Sequence, residues 1–197
     1  LAADPDNPDL RLQLGIALFG AGDTAAAERE LRTAREKGAA DSGVLPTLFG
    51  VMLARSEDEQ LLAQFPAPAE GDTSALASET LRARAGALNR TGRFKDAAAS
   101  LDRALTFDSS VANLVARAQL AQTMGEKGLA SKLVDEAIAK SPKEAVALVL
   151  KVDLLLQNKE QDKALETANQ LVTYYPQNAM ALITRARVFF QAKDNTK

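Results

Sequence analysis

The sequence predicts an all-α chain built as a solenoid of antiparallel helix pairs. Three observations carry that expectation. Segments of helical apolar rhythm recur with a period of about 34 residues. Alanine-sized residues return at fixed places within each period. The composition, 46% hydrophobic with only 5% aromatic and no Trp, suits closely packed helices.

The elements follow in order. LAADPDNP at the start, with Asp4, Pro5, Asp6 and Asn7, reads as punctuation closing a preceding unit (1–7). LRLQLGIALFGA and GDTAAAERELRTA then form a first helix, a tight turn and a second helix, a repeat spanning about 8–41. Residues 42–77 form an irregular repeat: SGVLPTLFGVMLAR, a short SEDEQLLAQF, then PAPAEGDT. Pro66 and Pro68 truncate its second helix and a local loop follows, a lid or hinge being the competing reading, while Pro46 is placed in the first turn of its opening helix, where a missing amide costs little.

TLRARAGALNRT with GRFKDAAASLDRAL (78–110), NLVARAQLAQTM with GEKGLASKLVDEAI (111–144) and LVLKVDLLLQNK with KEQDKALETANQLV (145–178) repeat the pattern. Residues 179–197 supply a first helix alone, so the chain reads as a piece of a longer array, with Leu182, Ala186 and Phe189 short of a packing partner. Self-association through that end is an expected consequence.

These segments resemble the tetratricopeptide-repeat (TPR) family, which implies one right-handed superhelix over 1–197. On its motif the small residue of the first helix falls at Gly15, Ala85, Ala118, Val152 and Ala186, and that of the second at Ala27, Ala97, Ala130 and Ala164. Only side chains near Ala in size let the crossing backbones approach closely, and a larger one costs roughly 1–3 kcal/mol. A third small position falls at Ala34, Ala104 and Ala137. Pro142 and Pro176 end their helices, with Ser109 and Ala39 in the equivalent places.

AERELRTAREKGAADSGVLPTLFGVMLA, QLLAQFP and ALVLKVDLLLQNKEQDKALE are together similar to a narrower group, the TPR lipoproteins of bacterial exosortase/PEP-CTERM sorting and exopolysaccharide loci. That resemblance implies a periplasmic or outer-membrane-anchored protein. A cytoplasmic adaptor is the alternative.

The chain has no Cys and no His, which removes thiol nucleophiles, imidazole bases and most transition-metal sites. Neither a metal nor a cofactor is expected. Glu28 with Glu30 and Glu57 with Glu59 sit two apart, point in different directions on a helix, and read as a solvated face rather than a catalytic pair. A net charge of −2 without long single-sign blocks argues against nucleic acid. No apolar run reaches membrane-spanning length.

Function is therefore expected at a non-enzymatic groove. By the TPR resemblance it is lined by Leu12, Ile16 and Phe19, by Pro46, Gly50 and Leu53, and by Arg82, Gly86, Asn89 and Arg90. Val115, Gln119 and Gln122, Val149, Asp153 and Leu156, and Ile183, Arg187 and Phe190 continue it. Val115, Val149 and Ile183 form an apolar rail flanked by Gln119, Asp153 and Arg187, suited to a protein or peptide ligand; packing of Val115 and Val149 against neighbouring helices is the competing reading. An anionic polysaccharide is the second candidate ligand, held by Arg82, Asn89, Arg90 and Gln122. The Lys/Asn/Arg clamp of chaperone-binding TPR proteins is not matched. A second ladder, Arg84, Arg117, Lys151 and Arg185, reads as stems covering apolar seams with heads in water or on carboxylates.

Overall fold

The computed structural model describes residues 7–194, with side chains through 191. The expected repeat tail at 1–6 and the expected end of the chain at 195–197 lie outside those residues. Among the described residues there are eleven helices and no strand. Residue contacts divide the chain into two compact units, one ending at Asp108 and the other beginning at Ser109. The first holds α1 (Pro8–Gly20), α2 (Thr24–Glu36), α3 (Asp41–Ala54), α4 (Asp58–Gln64), α5 (Ala75–Arg90) and α6 (Phe94–Leu105). The second holds α7 (Val111–Thr123), α8 (Lys127–Lys140), α9 (Ala145–Gln157), α10 (Gln161–Tyr174) and α11 (Ala179–Asp194).

The same turn follows five first helices, and Gly38 with the Ala39 amide on Ala34 O (2.9 Å) repeats it after α2. After α1, α3, α5, α7 and α9 a residue with positive φ follows: Gly22, Ser56, Gly92, Gly125 and Lys159. The next amide reaches back to a carbonyl five residues earlier, as in Asp23 N to Leu18 O (3.0 Å), Arg93 N to Leu88 O (2.8 Å) and Glu160 N to Leu155 O (2.9 Å). This satisfies carbonyls the helix end would otherwise orphan and reverses the chain into the second helix. Side-chain caps start several helices: Asn7 accepts from the Asp9 and Leu10 amides, Asp23 from Ala26 and Ser74 from Ala77.

In the first unit Gly15 is buried against α2, and a Cβ there would lie 2.7 Å from Leu31 Cγ. Ala27, Leu31, Val44, Leu48, Val51, Met52 and Leu61 are fully enclosed. Helix α4 has only seven residues. Phe65, just past its end, meets Phe49 edge-on with ring centroids 5.0 Å apart, and the Arg35 guanidinium lies 5.9 Å from the Phe65 centroid. Pro46 is a correction to the expectation: α3 begins at Asp41, which puts Pro46 inside the helix. The carbonyl it leaves without an amide partner is that of Ser42, exposed in the first turn, which limits the cost.

In the second unit Val152 takes the small-residue place and is fully buried with Ala164, Ala168, Leu155 and Val188. Leu148, Leu171 and Ala181 form a neighbouring cluster packed by Ile138, Val149 and Tyr175. The crossing residues Ala85, Ala97, Ala118 and Ala130 are likewise buried, as are Ala34, Ala104 and Ala137. Ala186 is exposed, because among the described residues no helix pairs with that face of α11. Leu182 and Phe189 beside it are 41% and 50% exposed.

Candidate functional site

In the first unit the expected groove residues are largely spent on packing. The Phe19 ring of α1 covers Gly50 of α3, where an added Cβ would stand 3.1 Å from it, and Leu53 of α3 covers Gly86 of α5 in the same way at 3.5 Å. Leu12, Phe19 and Leu53 all join the core. Ile16, 40% exposed, is the accessible apolar side chain of the α1 stripe.

The cations expected for an anionic ligand are also engaged. Arg82 pairs with Glu79 one turn earlier. Arg90 holds Asp58 Oδ1 through Nε at 2.9 Å and donates to the Leu53 carbonyl, tying the end of α3 to the start of α4. Asn89 is half-buried, with its Oδ1 shielded and without a hydrogen bond. Sequence spacing placed these residues on one face but carried no sign of their partners.

The second ladder divides in the same manner. Arg117 reaches Glu126 at 3.1 Å and Lys151 reaches Asp135 at 2.7 Å. Arg84 instead donates to the carbonyls of Leu62 (2.9 Å) and Phe65, and Arg103 of α6 donates to those of Pro68 (2.8 Å) and Ala69. Two arginines thus stand in for the missing length of α4 and fix the loop that follows it. Burial, with Arg93 nearby, lowers the pKa of Arg84 from its ordinary value. Glu28, Glu30 and Glu57 correct the solvated-face reading: they are partly buried ion-pair partners of Arg32 and Arg55, Arg11, and Arg55 respectively.

In the second unit the expected rail residues differ in exposure. Val115 is a correction to the expected rail: at 8% exposure its side chain belongs to the packed interior. Val149 is half-buried against the Leu148 cluster. Ile183 and Phe190 are 67% and 72% exposed, one turn to either side of Arg187 on α11. Gln119 is exposed on α7.

Between these helices lies a cleft of about 310 Å³ lined by Gln122, Asp153, Leu156, Gln157, Arg187 and Gln191. Four of those six were expected from the repeat register. Gln157 and Gln191 were missed, although each lies four residues beyond an expected position and so on the same helix face. Arg187 Nη2 holds Asp153 Oδ1 at 2.5 Å, while Arg187 Nε is buried without a hydrogen bond. Desolvation raises the Asp153 pKa above the ordinary carboxylate value, and the charge and hydrogen bond of Arg187 oppose that rise.

A larger cleft, about 370 Å³, lies on α8, α9 and α10, lined in part by Ser131, Lys151, Glu160, Lys163, Glu166 and Gln170. Its lysines are already paired, Lys151 with Asp135 and Lys163 with Glu160 at 2.6 Å. The α9–α11 cleft gathers four of the residues expected from the repeat register and is the better candidate for a partner.

Comparison with known proteins agrees with the helix-pair architecture. A tetratricopeptide-repeat family model matches residues 1–45, and the model of the ChAPs (Chs5p-Arf1p-binding proteins) matches residues 73–197. No curated protein matches the chain. Among solved structures it is similar to a thermophilic TPR protein of Thermus thermophilus, at 18% identity and TM-score 0.75 over 93% of this chain and 99% of that one. It is similar to pilF of Pseudomonas aeruginosa, at 19% and 0.67 over 100% and 88%. YrrB, a TPR protein with an unusual peptide-binding site, aligns at 13% and 0.57 over 94% and 95%. Identities at this level speak to fold alone.

Proposed function

Through residues 73–197 this chain belongs to the ChAPs (Chs5p-Arf1p-binding proteins) family, and it matches a tetratricopeptide-repeat model over 1–45; on that premise we propose that it is a non-enzymatic scaffold binding a protein or peptide partner on its first helices. The observation that supports the proposal is the cleft on the first helices of the second unit, where Gln122, Asp153, Leu156 and Arg187 from successive repeats converge. Apolar anchors around oriented polar groups suit peptide recognition. The peptide-binding site named for YrrB is a precedent in a similar fold.

The polysaccharide reading is weaker, since Arg82 and Arg90 already hold carboxylates. We place the partner in a bacterial envelope system, exopolysaccharide production or PEP-CTERM protein sorting, with the protein periplasmic or anchored at the outer membrane. The support is the sequence resemblance across 27–54, 60–66 and 147–166. The exposed Leu182 and Phe189 support self-association through α11 within the same reading.

Selection of a random linear peptide library on the immobilised chain tests the scaffold role. Enriched peptides that lose binding to an Ile183→Ser, Phe190→Ser double variant are expected. Failure of any peptide to enrich, or turnover of a substrate that is lost on substituting a defined residue set, contradicts it.

A further inference from the structure

We propose that α4 and the loop after it, residues 57–73, form a displaceable strap, and that the arginine-lined bed beneath takes an acidic amphipathic helix of a partner protein in its place. This surface lies in the first unit and is independent of the α9–α11 cleft.

The strap has little structure of its own to keep it closed. Helix α4 has seven residues, whereas α2, α6, α8 and α10 have 12 to 14. It starts without a side-chain cap and falls short of the roughly 12–15 residues at which an isolated helix becomes marginally stable in water. The chain enters it through Ser56, a non-glycine residue at φ 60°, and leaves it through residues 66–73, of which all but Pro68 are exposed. A segment so bounded, with few internal hydrogen bonds, opens before the body it rests on.

Its hold on the protein comes from outside. Leu61 is fully buried and Phe65 nearly so, edge-on to Phe49. Arg90 of α5 binds Asp58, whose side chain is only 12% exposed, through Nε at 2.9 Å. Arg84 of α5 donates to the carbonyls of Leu62 and Phe65, and Arg103 of α6 to those of Pro68 and Ala69. Arg32 of α2 donates to Gln64 Oε1 at 3.2 Å. Residues 57–73 complement this bed with five carboxylates and no Lys or Arg.

What the bed reads is a pattern rather than this one sequence. The bonds from Arg84 and Arg103 end on backbone carbonyls, which any chain supplies. The side-chain requirements reduce to an acid for Arg90 with apolar residues three and seven positions later, as in Asp58, Leu61 and Phe65. That spacing lies along one helix face. A partner helix of the same pattern but more turns brings the helical stability that the resident strap lacks, and its carboxylates meet the same guanidiniums. Displacement exchanges one set of contacts for an equivalent one, so the pocket of Leu61 is not left empty.

The test uses the full chain. In native-state hydrogen exchange the amides of Leu61 and Phe65, bonded to the Glu57 and Leu61 carbonyls, are expected to exchange roughly tenfold or more faster than buried helical amides of α3 and α5, with little dependence on denaturant. Exchange of all of them through one common unfolding would overturn the proposal. A fluorescent peptide copying residues 57–69 is then titrated onto the chain. Leu61→Ser, which weakens the resident strap, is expected to bind it roughly tenfold or more tightly than the wild type does. Arg90→Gln in that background, or a peptide with Lys in place of Asp58, is expected to lose roughly tenfold or more. No binding, equal affinity for wild type and Leu61→Ser, or indifference to both charge changes would overturn it. Phe65→Ala replaces Leu61→Ser if circular dichroism shows the latter unfolded, and the exchange experiment on the wild type decides without either. A wild-type dimer that Leu61→Ser abolishes would assign the bed to a second copy of the chain and overturn the choice of a partner helix.

Discussion

At the scale of single residues, size is what the fold reads most strictly. Two glycines of α1 show this with opposite signs. A Cβ at Gly15 would stand 2.7 Å from Leu31 Cγ and 2.9 Å from its Cδ2, whereas a Cβ at Gly20 meets nothing within 4 Å. Gly15→Ala gains about 1 kcal/mol in helix propensity but incurs roughly 1–3 kcal/mol of overpacking, so a net loss of about 1 kcal/mol is expected. Gly20→Ala is expected to be neutral or stabilising by up to about 1 kcal/mol. Urea unfolding of the two variants reads the contrast, and equal effects would contradict it. Charge is read as strictly at Asp153. Its folded pKa is raised, so the native state takes up this proton at a higher pH than the unfolded chain does. Its contribution to stability therefore grows as pH falls toward the ordinary carboxylate value and shrinks as pH rises through the folded one. Arg187→Gln removes the influence that lowers that pKa, so NMR titration of the Asp153 carboxyl should show it moving higher still. The crossing alanines were legible in the sequence because a size constraint repeats at a fixed period. The partners of Arg82, Arg90 and Arg187 were not, because a long side chain can reach in several directions from one register position.

At the scale of elements, the irregular repeat is the most instructive. Its prolines predicted a truncated helix and a local loop, and α4 does end at Gln64. What composition could not reveal is how the loop is held: the bonds run from Arg84 and Arg103 to backbone carbonyls, which have no sequence identity. Arg84→Met keeps much of the stem and removes both bonds. It is expected to cost about 2 kcal/mol in denaturant unfolding and to speed proteolytic cleavage within residues 66–73. Unchanged stability and cleavage would mean that the loop holds its place without Arg84. Helix α11 presents the complementary case. Its register was readable, and Leu182, Ala186 and Phe189, which repeat positions buried on α5, α7 and α9, are exposed in it. Val115 was not readable in the same way, since a β-branched residue at a first-helix position suits an open wall and a packed interior equally well.

At the scale of the whole molecule, the chain is a repeated use of one turn and one crossing, carried through two compact units that differ in what they leave open. In the first, Phe19 and Leu53 cover glycines of the next repeat and the arginines are paired. In the second, α11 bears exposed Met180, Ile183 and Phe190 beside the Asp153–Arg187 pair. Periodicity made the architecture and the helix face legible, but it assigned equal promise to every repeat. The cleft lined from α7, α9 and α11 is what register alone could not single out. The most direct test is a ¹H–¹⁵N NMR titration of the full chain with a selected peptide. Shifts are expected to concentrate at Gln122, Asp153, Leu156, Ile183, Arg187 and Phe190. Shifts concentrated instead at Ser131, Lys163, Glu166 and Gln170, in the cleft on α8, α9 and α10, would contradict it.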